Sequence, residues 1–125
     1  MKDLPTEDQL SILMRGLNSL PRGILITDCS QDDDPIIYVN DYFLTMSGYT
    51  REEIIGRNCR FMQGEKTDPD AQKKIAIALS NKESCSVKMI NYRKNGDTFL
   101  NEFTICPITD ENNNTTHFIA LEREL

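Results

Sequence analysis

The sequence has little of what metal and nucleic-acid sites require. It contains one histidine, His117, and the spacing of its four cysteines matches no zinc-binding pattern: Cys29, Cys59, Cys85, Cys106. The 20 acidic residues outnumber the 14 basic ones, so that the net charge is −6. A surface that binds nucleic-acid phosphates needs a basic stripe instead. We therefore expect no metal centre and no nucleic-acid partner.

Long apolar runs are also absent. No run approaches the roughly 18 residues that a membrane-spanning helix requires, and the segment Met1–Thr6 lacks the features of a secretory signal peptide. We expect a cytoplasmic chain with no membrane partner, whose cysteines stay reduced. The 125 residues are enough for one domain with its own hydrophobic core.

The most informative segment is Gly-Arg-Asn-Cys-Arg-Phe-Met-Gln-Gly, residues 56–64. If residues 58–63 form one helical turn, four of its side chains can approach a single ligand: Asn58, Cys59, Arg60, Gln63. A guanidinium offers several donors to a phosphate, and side-chain amides can donate to and accept from hydroxyl groups. The thiol is the one nucleophile of the segment. The pattern indicates a phosphorylated polyol with a reactive group held over the sulfur.

The N-terminal helix is predicted to run from the capping pair Thr6 and Gln9 to Pro21. Leucine and methionine residues at helical spacing form one apolar stripe: Leu10, Leu13, Met14, Leu17. This stripe either packs on the chain's own sheet or forms a homodimer contact, and the sequence favours neither. Residues 1–21 are therefore interpreted as a flanking helix and residues 22–125 as the core domain.

The core is predicted to be an α+β domain. Short strands at about residues 24–27 and 36–39 precede three helical segments that begin after Asn40, Thr50 and Asp68. Longer strands follow at about 84–94, 97–109 and 115–123. This order predicts an antiparallel sheet with helices on one face. The acidic run Asp32–Asp34 is interpreted as a solvated turn.

The long hairpin has one asparagine on the apolar face of each strand, Asn91 and Asn101. A buried amide without partners costs about 1–3 kcal/mol. A two-residue turn would separate these amides onto opposite faces. A three-residue loop, Asn95–Asp97, pairs Asn91 with Asn101, Met89 with Phe103, and Val87 with Ile105. We predict this second register, with the amides bound either to each other or to the polar edge of a flat heterocycle.

On the last strand, Glu122 shares a face with Phe118 and Ala120. It is therefore predicted to point into the same cavity, and the alternative is a solvent-exposed strand end.

These motifs together resemble the LOV domains, the flavin-binding blue-light sensors of the PAS superfamily. The resemblance covers roughly residues 22–123 and includes the cysteine segment and these further matches: Asp28, Tyr38-Val39-Asn40, Ser47-Gly48-Tyr49, Asn91-Tyr92-Arg93-Lys94, Phe99-x-Asn101. It implies a PAS fold, with a five-stranded antiparallel sheet, helices packed on one face and an N-terminal flanking helix.

The resemblance also implies a cofactor and a mechanism. FMN would be bound non-covalently in the dark, and light would drive a reversible bond between Cys59 and flavin carbon C4a. Asn91 and Asn101 would bind the pyrimidine edge of the flavin. Changed hydrogen bonding at flavin N5 would carry the signal to the sheet.

Two positions depart from the family. Glu122 stands where the family usually has a glutamine that contacts flavin N5 and O4. Ala76 stands where many members have a second phosphate-binding arginine. Lys73, one turn earlier, is a candidate substitute, although its ammonium is a point charge rather than a fork. The phosphate site would then depend on Arg60, and riboflavin remains an alternative to FMN.

Two other functions are compatible with the sequence. The first is a light-insensitive PAS module for ligand binding or dimerisation, with Cys59 unreactive. The second is a thiol or flavin enzyme, which we rank last because nucleophilic catalysis needs a positioned base and His117 lies on the opposite face from Glu122. The chain stops at Leu125, just past the final strand, so we expect no effector domain in it and an output that is either missing or lies in the N-terminal helix.

Overall fold

The computed structural model describes residues 6–125. The prediction about a signal peptide concerns mainly the first five residues, which lie outside this range. The elements in chain order are α1 (Glu7–Ser19), β1 (Gly23–Asp28), β2 (Ile36–Val39), α2 (Asp41–Ser47), α3 (Arg51–Ile54), a 3₁₀ turn (Cys59–Met62), α4 (Pro69–Asn81), β3 (Cys85–Tyr92), β4 (Thr98–Thr109) and β5 (Thr115–Glu124).

The five strands form one antiparallel sheet in the order β2-β1-β5-β4-β3, which confirms the predicted α+β architecture. Within residues 6–125, no helix has both the length and the apolar character that crossing a bilayer demands.

Local chemistry sets the ends of the helices. Capping boxes form at the starts of α1 and α3, where Thr6 and Thr50 accept from the backbone N–H three residues later. Asp68 caps α4, whose first residue is a proline. Gly48, with φ of 80°, ends α2 in the left-handed conformation that glycine tolerates. The predicted helix starts are therefore confirmed.

The hydrophobic core lies between one face of the sheet and the helices. Ile75 and Ala78 of α4 and Phe43 of α2 are buried there. They pack together with apolar residues of α3, the 3₁₀ turn and the strands: Ile54, Met62, Leu25, Val87, Met89, Phe99, Phe103, Ile105, Ala120. On the other face of the sheet, Leu100 and Leu121 are exposed. Helices therefore cover a single face, as the sequence predicts.

The predicted register of the long hairpin is wrong by two residues. Asn91 pairs with Phe99, Met89 with Asn101, and Val87 with Phe103. Sequence reasoning paired these residues with Asn101, Phe103 and Ile105. A shift of two residues keeps every side chain on its predicted face, because side chains alternate with a period of two. Both asparagines consequently still face the core.

The cause of the shift is the position of Gly96 in the turn. The backbone N–H of Arg93 donates to the carbonyl of Asp97 at 2.8 Å, so the loop has three residues, Lys94–Gly96. Gly96 has a φ of 92° and occupies the last loop position, where such hairpins require a left-handed residue. The predicted loop had the right length, but it placed the glycine in the middle.

The apolar stripe of α1 does not pack on the sheet. No residue of α1 is buried, and Leu13 is 57 % exposed. Of the two alternatives for this stripe, packing on the chain's own sheet is therefore wrong. The homodimer contact remains a prediction.

Asn40 connects α1 to the core. Its Oδ1 accepts from the N–H groups of Ile24 and Phe43, at 2.9 and 3.3 Å. Its Nδ2 donates to the carbonyls of Leu17 and Arg22, at 2.8 and 2.9 Å. One fully buried amide thus joins the end of α1, the start of β1 and the first turn of α2.

Replacing Asn40 by alanine should lower the free energy of unfolding by about 3 kcal/mol, because it leaves several backbone groups without partners. Urea denaturation of the two proteins measures this loss. Asn112→Ala is the matched control, since Asn112 is exposed and a surface change should stay within about 0.5 kcal/mol. Equal losses in the two variants would contradict the role given to Asn40.

Candidate functional site

A cavity of about 320 Å³ lies between the inner face of the sheet, the 3₁₀ turn, α4 and the loop that connects β1 to β2. This volume falls at the lower end of the range typical of small-molecule sites. The lining residues combine an apolar wall with convergent polar groups: Asp33, Asp34, Asn58, Cys59, Arg60, Gln63, Gln72, Ile75, Ala76, Leu79, Met89, Asn91, Phe103, Glu122.

The 3₁₀ turn brings Cys59, Arg60 and Gln63 to this cavity. Asn58 caps the turn, because its Oδ1 accepts from the backbone N–H of Arg60 at 3.0 Å. Its Nδ2 donates to the backbone carbonyl of Asp33 at 2.8 Å, which ties the turn to the β1–β2 loop. The predicted single helical turn is confirmed, with 3₁₀ geometry.

The inner wall contains a chain of buried hydrogen bonds. Nδ2 of Asn101 donates to Oδ1 of Asn91 and to Oε1 of Glu122, both at 2.7 Å. Asn91 in turn donates to the backbone carbonyl of Met62 at 3.3 Å. Asn101 is 0 % and Glu122 3 % exposed. The alternative of Glu122 as a solvent-exposed strand end is therefore wrong.

Two atoms of this hydrogen-bonded network have no hydrogen-bond partner, Oδ1 of Asn101 and Oε2 of Glu122. Leaving a buried polar group unpaired costs about 1–3 kcal/mol. Glu122 lines the cavity, and Asn101 donates to it but is not itself part of the lining. A ligand with a polar edge would satisfy the unpaired oxygen of Glu122.

Burial also governs the protonation of the site. It raises the pKa of Glu122 to about 7, although the hydrogen bond from Asn101 opposes this shift. The pKa of Cys59 rises to about 12, mainly through burial and further through the Glu122 carboxylate. At neutral pH the thiol therefore keeps its proton, and the carboxyl group titrates near that pH.

The structure brings together six of the predicted site residues on the cavity lining: Asn58, Cys59, Arg60, Gln63, Asn91, Glu122. Asn101 belongs to the same network from behind the wall. Lys73 does not join them, since it is exposed on α4 and is not part of the cavity lining.

Sequence reasoning missed three polar residues that line the cavity. Nε2 of Gln72 donates to Oε1 of Gln63 at 2.9 Å, and its spacing from Ala76 on the predicted helix could have revealed it. Asp33 and Asp34 belong to the run interpreted as a solvated turn. No signal in the sequence indicated that this loop reaches the cysteine segment.

Comparison with known proteins identifies the family. The PAS domain family matches residues 21–125. A blue-light photoreceptor from Listeria innocua is 41 % identical over 117 residues, which are 94 % of this chain and 46 % of that protein. A solved LOV domain of a blue-light activated histidine kinase from Erythrobacter litoralis is 42 % identical, with a TM-score of 0.81, covering 85 % of this chain and 97 % of the other. The chain belongs to the LOV domains of the PAS family.

A further solved LOV domain, whose structure concerns a flavin analogue, is 37 % identical with a TM-score of 0.85 and covers 91 % of this chain and 84 % of the other. The chain spans less than half of the Listeria photoreceptor. The cavity of the present chain fits a flavin, because the unpartnered Oε2 of Glu122 lies on a largely apolar wall that a flat ring with a polar edge would meet.

The raised pKa of Glu122 predicts how stability depends on pH. Between its unfolded value of 4.5 and its folded value of about 7, the folded state holds a proton that the unfolded state has lost. Stability contributed by this group is therefore complete below pH 4.5 and falls as the pH rises towards 7, by up to about 3 kcal/mol.

Urea denaturation of the flavin-free protein across this range should show that decline in the wild type and not in Glu122→Gln. The variant Glu111→Gln, altered at an exposed turn, should keep the wild-type dependence. Parallel curves for the wild type and Glu122→Gln would refute the assignment.

Proposed function

We propose that this LOV domain senses blue light through a bound flavin. The observation that carries the proposal is the unpartnered buried Oε2 of Glu122, in a cavity that Cys59 also lines. The names of the related proteins, which include blue-light photoreceptors, support the same function.

The side chains of the cavity divide into three groups by the part of a flavin that they suit. Asn91, Asn101 and Glu122 offer donors and acceptors for the pyrimidine edge. Apolar side chains of α4 and the sheet suit the two faces of the ring: Ile75, Leu79, Met89, Phe103. Near the opening, Asn58, Gln63 and Arg60 suit a hydroxylated chain and a phosphate.

The flavin, when bound, supplies absorption of blue light and a ring carbon, C4a, to which a thiol can add reversibly. Cys59 would provide the sulfur for that bond, and the proton released from its thiol would pass to flavin N5. Because the thiolate is the reactive form of cysteine and the pKa of Cys59 is raised to about 12, very little of this thiol is deprotonated at neutral pH. The proposed reaction would therefore need the flavin in its excited state.

Glu122 connects the site to the sheet. It lies in β5 between Gly23 of β1 and Phe103 of β4, its neighbours in the register. Protonated, the carboxyl group can donate a hydrogen bond to the ring edge, and ionised it can only accept. If an atom of the ring edge changes from acceptor to donor, the hydrogen bond made by Glu122 in the central strand must change as well. A local change of this kind can shift the equilibrium between two conformations of a protein.

The output and the partners are further parts of the proposal. The exposed stripe of α1 is a candidate homodimer contact that could respond to displacement of the sheet. A light-insensitive PAS module is the alternative function. The purified protein would then be colourless. An enzyme with Cys59 as nucleophile has less support, because His117 is not among the described residues that line the cavity.

The decisive measurement is the absorption spectrum of the purified protein before and after blue light. The wild type should show a flavin band that bleaches in light and recovers in darkness. Cys59→Ala should keep the flavin and its fluorescence but lose the reversible bleaching, because it removes the thiol and leaves the polar edge contacts.

Cys85→Ala is the matched control, since Cys85 lies on β3 away from the cavity lining and its loss should leave bleaching unchanged. Persistent bleaching in Cys59→Ala would overturn the role of the thiol. A wild type that neither contains nor binds flavin would overturn the proposed function.

A further inference from the structure

The cation at the opening of the cavity is already paired. Nη2 of Arg60 lies 2.8 Å from Oδ2 of Asp33, and both side chains are more than half exposed, at 59 % and 57 %. Among the described residues that line the cavity, Arg60 is the one with a permanent positive charge. The guanidinium that would bind a ligand phosphate is therefore shared with a carboxylate of the chain itself.

Backbone contacts hold Asp33 beside the 3₁₀ turn. Asp33 and Asp34 have φ values of 60° and 47°, in the left-handed region that few residues other than glycine adopt. The carbonyl of Asp33 accepts from Nδ2 of Asn58 at 2.8 Å. The same loop is held at its far end, where the N–H of Ile36 donates to the carbonyl of Arg57 at 2.8 Å. The pair of Asp33 with Arg60 is thus built into the junction between the loop and the 3₁₀ turn.

The charges at the opening do not favour a dianion. Asp33 and Asp34 contribute two negative charges to the lining and Arg60 contributes one positive charge. Ala76 lines the cavity without a charge, and Lys73 is not part of the lining. A phosphate would have to share Arg60 with Asp33, which already occupies Nη2, and remain beside both carboxylates. An uncharged hydroxyl chain meets no such opposition, and Asn58 and Gln63 can bind it.

We propose that Asp33 is a specificity-determining residue that suppresses selection for a ligand phosphate, so that this cavity binds riboflavin about as well as FMN. The inference rests on the proposed flavin site and deepens it, since it names the class of flavin. The two ligands share the ring system and differ only in the phosphate, so their relative affinity isolates the opening of the cavity from the ring contacts.

The test compares the dissociation constants of riboflavin and FMN for the flavin-free protein, measured by quenching of flavin fluorescence at low salt. In the wild type the two should agree within about fivefold, the range expected for one exposed ion pair. Asp33→Asn should raise the preference for FMN by about two- to fivefold. Asparagine tolerates the left-handed backbone and keeps the carbonyl that Asn58 binds, so the loop is retained.

The matched control is Asp32→Asn. It removes one negative charge from the same loop, but Asp32 is exposed and does not line the cavity. Its preference should equal that of the wild type. A second, independent variant is Arg60→Gln. Its preference for FMN over riboflavin should differ from that of the wild type by less than about fivefold, because Arg60 is already paired with Asp33.

The outcomes separate this inference from the proposed function. If riboflavin and FMN both bind but Asp33→Asn leaves their ratio unchanged, the role of Asp33 is wrong and the flavin site stands. If the wild type prefers FMN by a hundredfold, or Arg60→Gln abolishes such a preference, the inference is overturned. If neither flavin binds the wild type, the proposed function fails, and this inference fails with it.

Discussion

The buried hydrogen-bond chain from Asn91 through Asn101 to Glu122 is the constraint on which the site depends. It ties β3, β4 and β5 together behind the cavity, with both bonds of Asn101 at 2.7 Å. A chain of amides and a carboxyl group inside an apolar wall is stabilising only if its members are paired. Two atoms of this network have no hydrogen-bond partner, Oδ1 of Asn101 and Oε2 of Glu122. The side-chain network that links these three strands therefore has an unpaired oxygen on Glu122 that a polar ligand edge would satisfy.

The second constraint is the junction between the β1–β2 loop and the 3₁₀ turn. Asn58 caps the turn with one end of its amide and binds the loop with the other. The position of Cys59 against the wall follows from this double attachment, since Cys59 is the first residue of the turn. The thiol is thus placed by an asparagine that itself lines the cavity, and the loop that this asparagine holds supplies the partner of Arg60.

Local signals in the sequence predicted the fold well because they act over a few residues. Capping pairs at Thr6 and Thr50 and the period-two alternation of the hairpin determine helix starts and strand faces. The predicted hairpin register was wrong by two residues because a shift of two leaves the alternation of side-chain faces unchanged. The left-handed φ of Gly96 is what determines the position of the loop. The pairing of Asp33 with Arg60 joins residues far apart in sequence, and an acidic run on its own indicates only a solvated turn.

The cavity changes in character from its inner wall to its opening. The inner end presents a protonated thiol, amides, apolar side chains and a carboxyl group whose pKa is about 7, whereas the opening presents Asp33, Asp34 and Arg60. A molecule with a flat ring that has a polar edge, and with a hydroxylated chain at its other end, matches these walls best with the ring inward and the chain at the opening. The distribution of polar and apolar side chains along the cavity therefore favours one orientation of the bound ligand.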